Sequence, residues 1–144
     1  MVRSSAIRTL SYNIWFERTD QKDRLDSIVQ ILIDADADFV CLQEVTSVSR
    51  EFILSSQIIL QRYPFYTCNQ LGGYGTMILT KHPCWFFELD YTFSAMGRSL
   101  LVAEPINGIN GRQVLVATSH FESCNNQSKR KAQMREAFAL LGGG

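Results

Sequence analysis

Residues 35–45, Ala-Asp-Ala-Asp-Phe-Val-Cys-Leu-Gln-Glu-Val, decide the fold. The run Asp38 to Gln43 is continuously apolar at its centre and short, which suits a strand buried on both faces rather than an amphipathic one. It is preceded by Gln21 to Ala35, where Leu25, Ile28, Val29 and Leu32 recur at three- and four-residue spacing. That spacing predicts a helix, with Asp20 placed to cap it. Ile7 to Ile14 reads as another strand, so the chain opens strand–helix–strand. Buried strands alternating with helices mean α/β.

The rest of the chain extends that pattern. A helix is expected over roughly Ser49 to Leu60, stopped at Tyr63-Pro64 because the residue before proline disfavours helical backbone. Phe65 to Gln70 and Tyr74 to Lys81 read as strands flanking Gly72-Gly73, and Cys84 to Phe93 as a third. Ser99 to Ile106 and Arg112 to Thr118 flank Asn-Gly-Ile-Asn-Gly (107–111), a hairpin signal. Ser128 to Leu141 reads as a last helix, with Ala132, Met134, Ala137, Phe138 and Leu141 available for packing. Strands of both connection types predict a mixed sheet. No repeat, linker or low-complexity segment divides the chain, so residues 1–144 read as one domain.

Composition narrows the chemistry. The 144 residues carry 14 Lys plus Arg and 14 Asp plus Glu, a formal net charge of zero. A balanced chain has no overall field for nucleic acid, so any phosphate binding must come from a local site. Four cysteines, Cys41, Cys68, Cys84 and Cys124, are far apart and form no zinc-binding spacing. Cys41 lies in an apolar run, as a reduced buried thiol would. No stretch is long and apolar enough for a signal peptide or a membrane span, so the expectation is an intracellular protein with no membrane partner, not a secreted one.

Three polar residues end apolar runs: Asn13, Glu44 and His120. Strand ends at a sheet edge are where folds of this class gather ligands. Glu44 offers a carboxylate of the kind that binds Mg2+; its bland reading is a polar pair, Gln43-Glu44, marking where a strand leaves the core. Asn13 suits a phosphate or a metal's water shell, and equally a simple turn. His120 and Ser123 present an imidazole and a hydroxyl able to meet one pocket; the alternative is a capped strand end whose histidine pairs with Glu122. Arg98, after Gly97, fits phosphate through its planar fork. Trp15 lies near enough to Asn13 to contact a base or ring. Lys129-Arg130-Lys131 reads as a solvated helix face.

Taken together, Tyr12-Asn13-Ile14-Trp15-Phe16, Leu42-Gln43-Glu44-Val45, Met96-Gly97-Arg98 and Thr118-Ser119-His120-Phe121-Glu122-Ser123 with Arg130-x-x-Gln133 resemble the endonuclease/exonuclease/phosphatase superfamily. Within it, the resemblance is to the branch that hydrolyses 5′-phosphotyrosyl–DNA bonds in DNA repair. It implies a four-layer α/β sandwich with a mixed β-sheet, of which this chain is the N-terminal half. It also implies Mg2+, with Mn2+ as the alternative cation, ligated by Glu44. Asn13 would arrange metal and phosphate, His120 and Ser123 would hold phosphate oxygens, and Arg98 and Trp15 would contact substrate. The partners would be DNA 5′ ends carrying a tyrosyl adduct, and the location the nucleus. The family's G-D-x-N and S-D-H segments do not occur in these 144 residues. The expectation is therefore an incomplete domain, inactive alone, with an uncovered sheet face through which it self-associates. Two alternatives stay open: a non-catalytic interaction fragment, and a superfamily nuclease or phosphatase with another phosphodiester substrate.

Overall fold

The structure, a computed structural model, describes residues 6–69 and 73–142 of the chain. Its elements run β1 (Thr9–Asn13), α1 (Gln21–Ala35), β2 (Phe39–Val45), α2 (Ser47–Ser55), α3 (Gln57–Arg62), β3 (Phe65–Cys68), β4 (Gly75–Thr80), β5 (Cys84–Asp90), β6 (Ser99–Pro105), β7 (Val116–Ser119) and α4 (Gln127–Leu140). The strands form two sheets, one ordered β1-β2-β4-β3 and one ordered β5-β6-β7. The first sheet is mixed, with β1 parallel to β2 and the other pairs antiparallel. The second is antiparallel throughout.

Four layers follow from which side chains each strand turns to which face. Leu25, Ile28 and Leu32 of α1, with Ile53 and Ile59 of α2 and α3, pack on Val40, Leu42, Met77 and Leu79. The alternate residues of β2 and β4, Phe39, Cys41 and Ile78, face the other way onto Leu101 and Ala103 of β6. The far side of β6, Leu100 and Val102, meets Ala137 of α4 and Tyr91. The order is helices, sheet, sheet, helix, and β2 is buried on both faces as its unbroken apolar run requires.

The predicted α1 is present, but Asp20 makes no side-chain cap; its own backbone is left-handed, at φ 49°. The single helix expected over 49–60 is two. Ser56 breaks it by adopting extended backbone, closing α2 and accepting a hydrogen bond from Ile59 N to start α3. The start of α2 is fixed by a capping box, Thr46 with Ser49. Part of the turn between β3 and β4, including Gly72, lies outside the described residues, though the antiparallel pairing itself is present. At the β6–β7 turn, Gly108 has φ +63°, and a Cβ there would collide with the Arg112 carbonyl oxygen. That is why Asn-Gly marks this reversal.

Two expectations are corrected. The inner face of the sandwich is not left uncovered: both sheets contribute to the inter-sheet cluster, because β2 and β4 lie directly against β6 and β7. On α4 the buried side chains are Gln133 and Ala137, while Met134 and Phe138 are 48% and 61% exposed. A polar residue takes the core position because a buried carboxylate lies opposite it.

Candidate active site

Because β1 and β2 are parallel and in register, Asn13 beside Gln43, both strands end at the same edge. Two devices then aim Glu44. The pairing of β2 with β4 slips between Leu42 and Val45, so two residues face one, a β-bulge. Within it Glu44 has φ +58°, a left-handed conformation uncommon for a residue with a Cβ. The carboxylate swings toward β1. Asn13 Nδ2 donates to Glu44 Oε1 (3.0 Å) and the Phe16 backbone N–H donates to Oε2 (3.2 Å). Asn13 Oδ1 in turn accepts from the Trp15 N–H at 3.0 Å, which winds residues 13–16 around the carboxylate.

The second sheet brings the other half. His120 follows β7 directly, and its Nε2 lies 3.6 Å from Glu44 Oε1. Arg98, at the start of β6 after Gly97 in a left-handed turn, places Nη1 at 3.2 Å from His120 Nδ1. A guanidinium has no acceptor, so Nδ1 must be the bare nitrogen and the neutral ring carries its proton on Nε2. Burial, and then the Arg98 charge, push the His120 pKa below its ordinary value, against an opposing pull from Glu44. The imidazole is thus neutral near pH 7, with one N–H turned toward Glu44 and the space beside it. Beneath the site Gln43 Nε2 donates to Thr118 Oγ1 at 2.9 Å, tying the two sheets together.

Arg98 is 8% exposed, yet no carboxylate pairs with it among the described ion pairs. Its Nη2 donates to the Tyr74 hydroxyl (3.1 Å), and its guanidinium lies 5.2 Å from the Tyr74 ring centroid. Tyr74 stacks on Phe16 at 4.7 Å. A buried cation over an aromatic face, with no anion of its own, is arranged to receive one. A cavity of about 300 Å3 opens here, lined by Tyr74, Met96, Arg98 and His120 among others. A larger one of about 750 Å3, also lined by His120, has the polar Asn13, Ser123 and Arg130 together with the apolar Met134, Phe138 and Leu141 in its wall.

The structure therefore gathers Asn13, Glu44, Arg98 and His120, and puts Ser123 on the larger cavity's wall, its Oγ 3.4 Å from Met96 Sδ. Trp15 is not gathered in: its ring, 54% exposed, carries the Arg24 guanidinium and lines neither cavity. His120 does not pair with Glu122, which turns away to Ser94 and Met96. The sequence reading missed Tyr74, for which a tyrosine set between Gly73 and Gly75 was the available signal, and named Gln43 only beside Glu44, without the inter-sheet role it has.

Each Glu44 oxygen accepts one hydrogen bond from the protein and keeps a free lone pair, so the carboxylate fits a single hydrated Mg2+. It does not form a cage, since among the described residues no group of three His, Cys, Asp or Glu side chains could hold a metal.

The chain belongs to the Endonuclease/Exonuclease/phosphatase family, whose sequence model matches residues 10–142. Among curated proteins it is similar to tyrosyl-DNA phosphodiesterase 2 of Danio rerio, 25% identical over 136 residues, covering 92% of this chain and 36% of that protein. Among solved structures it shares the fold of D. rerio TDP2 complexed with single-strand DNA product, with a TM-score of 0.80 at 24% identity over 94% of this chain and 54% of that one. TDP2 from C. elegans gives 0.81 at 23% identity, over 94% of this chain and 42% of that one. The chain thus spans about a third to a half of the length of these relatives.

Proposed function

We propose that this chain carries one side of a phosphodiesterase centre that hydrolyses 5′-phosphotyrosyl–DNA bonds with Mg2+ or Mn2+, in DNA repair in the nucleus. The observation that carries this reading is the meeting, across two sheets, of the Glu44 carboxylate, the Asn13 amide, the His120 N–H and the Arg98 guanidinium. Glu44 holds the cation, which when bound polarises the phosphorus centre and stabilises the leaving oxygen. His120 and Ser123 donate to non-bridging phosphate oxygens, and Arg98 balances the charge that grows on them. Asn13 fixes the Glu44 carboxylate against rotation. The choice of substrate leans on the similarity to tyrosyl-DNA phosphodiesterase 2 and on the DNA product held by its D. rerio form.

On this reading the chain by itself turns over very slowly, because among the described residues no second carboxylate stands beside Glu44 to activate the attacking water. The 144 residues have no G-D-x-N and no S-D-H segment, and no second carboxylate joins Glu44 in a described metal-binding group. The test is incubation of a 5′-phosphotyrosyl oligonucleotide with the folded chain, with and without Mg2+, beside Glu44→Ala. Binding that Mg2+ strengthens about tenfold, a gain lost in the variant, with negligible cleavage, is expected. Rapid Mg2+-dependent cleavage would overturn the inactivity. Binding indifferent to both Mg2+ and Glu44 would overturn the site.

Exposed Met134 and Phe138, in the wall of the larger cavity, favour the second reading, an interaction fragment that self-associates. Sedimentation of the chain across concentration, beside Phe138→Ser, tests it: a concentration-dependent dimer lost in the variant supports it, and a monomer throughout removes it.

A further inference from the structure

Two residues of the site's surroundings have no part in the chemistry above, yet both are completely enclosed: Glu122 at 1% exposure and Gln133 at 0%. An enclosed carboxylate without a cation partner is costly, and none of the described ion pairs involves Glu122. What offsets part of the cost is a set of hydrogen bonds to one oxygen, Oε1, while Oε2 is buried without a partner. Glu122 Oε1 accepts from Ser94 Oγ (2.6 Å), from Met96 N–H (3.1 Å) and from Gln133 Nε2 (3.4 Å). Gln133 Oε1 accepts from the Glu122 N–H at 2.9 Å, and its Nε2 also reaches the Phe93 carbonyl. Burial pushes the Glu122 carboxyl up, but the hydrogen bonds from Ser94 and from the Met96 and Ala95 backbone, together with the Lys129 charge, hold the pKa below its ordinary value.

These bonds end on one segment, the turn 93–98 that delivers Arg98. Ser94 Oγ, while donating to Glu122, accepts from the Arg98 backbone N–H at 2.7 Å. Arg98 needs such support. Its Nε is buried without a partner and no carboxylate fixes its guanidinium, so beyond the contacts of Nη1 and Nη2 with His120 and Tyr74 its direction depends on where the turn sets its backbone. Arg130 steadies the segment after β7 by donating to the carbonyls of Glu122 and Cys124 (3.1 and 2.8 Å).

We propose that Glu122 and Gln133 are a positioning pair: through Ser94 they set the 93–98 turn and so hold the Arg98 guanidinium against His120 and the phosphate-binding space. The proposal rests on reading Arg98 and His120 as phosphate ligands. It also gives the Arg130-x-x-Gln133 spacing a purpose, since one helical turn brings both side chains to the Glu122 backbone.

The experiment follows the Arg98 Nε–Hε resonance by NMR in the full chain, together with affinity for inorganic phosphate and for a 5′-phosphorylated oligonucleotide. The variants are Ser94→Ala, Glu122→Ala and Glu122→Gln. Ser94→Ala removes one hydroxyl and leaves the core intact, so it decides the matter even where Glu122→Ala fails to fold. In Ser94→Ala the Arg98 resonance should shift and broaden and the affinities fall about tenfold, with the β1 and β2 amides unmoved. Glu122→Gln keeps an acceptor oxygen for Ser94 and Met96 and should restore both readouts. An Arg98 resonance unchanged in Ser94→Ala would overturn the proposal. If the wild-type chain binds no phosphate but the resonance still responds, the pair positions Arg98 and only the phosphate-ligand reading fails.

Discussion

Glu44 holds a left-handed backbone at φ +58° in the middle of a bulge, where glycine is the residue that sits without strain. The fold accepts this strain in return for a carboxylate at the sheet edge. Both Glu44→Ala and Glu44→Gly lose the carboxylate, but only alanine keeps the strain. Urea unfolding should therefore find Glu44→Gly more stable than Glu44→Ala by about 1 kcal/mol, with Mn2+ binding, followed by electron paramagnetic resonance, abolished in both. His120 gives a prediction in pH. Its folded pKa is depressed by burial and by Arg98, so the unfolded chain takes up the proton first as pH falls. Stability should then decline as pH drops from the ordinary histidine value through the lower folded one, and remain flat above it. His120→Gln should remove that part of the pH dependence, as thermal melts across pH would record.

At the scale of elements, β2 is the strand on which the site depends, since it is hydrogen-bonded to β1 on one side and β4 on the other and packed on both faces. Its position has a chemical consequence at Cys41. Burial alone pushes that thiol up to about 11, and the same cause raises Cys84 to about 11. Cys124, by contrast, is exposed. Iodoacetamide at pH 8, read by mass spectrometry, should modify Cys124 first and leave Cys41 untouched until the chain unfolds. The helices are set by smaller cues. Ser56 divides what periodicity alone reads as one helix, because an extended serine both ends α2 and caps α3. Apolar spacing is nearly blind to a single residue of that kind.

At the scale of the whole molecule, the site exists because two sheets are pressed together. Asn13 and Glu44 belong to one sheet and Arg98 and His120 to the other, and the cluster of Phe39, Cys41, Ile78, Leu101 and Ala103 sets the distance between them. Leu101→Ala should cost about 3 kcal/mol in urea unfolding and weaken Mn2+-dependent oligonucleotide binding without touching a ligand. Much of this was legible in the chain. Apolar runs and helical spacing determined β2, α1, the α/β class and the strand ends at Asn13, Glu44 and His120, because periodicity and burial are local consequences of side-chain type. The site itself was legible only as candidates. Whether His120 turned to Glu122 or to Glu44 and Arg98, whether Trp15 reached the pocket, and that Tyr74 would lie beneath a buried arginine depended on residues tens of positions apart. Those choices were made by a β-bulge, by the facing of two sheets and by the hydrogen bonds of one enclosed carboxylate. Such interactions join distant segments, so the sequence supplies the groups and only the packed tertiary structure decides which of them meet.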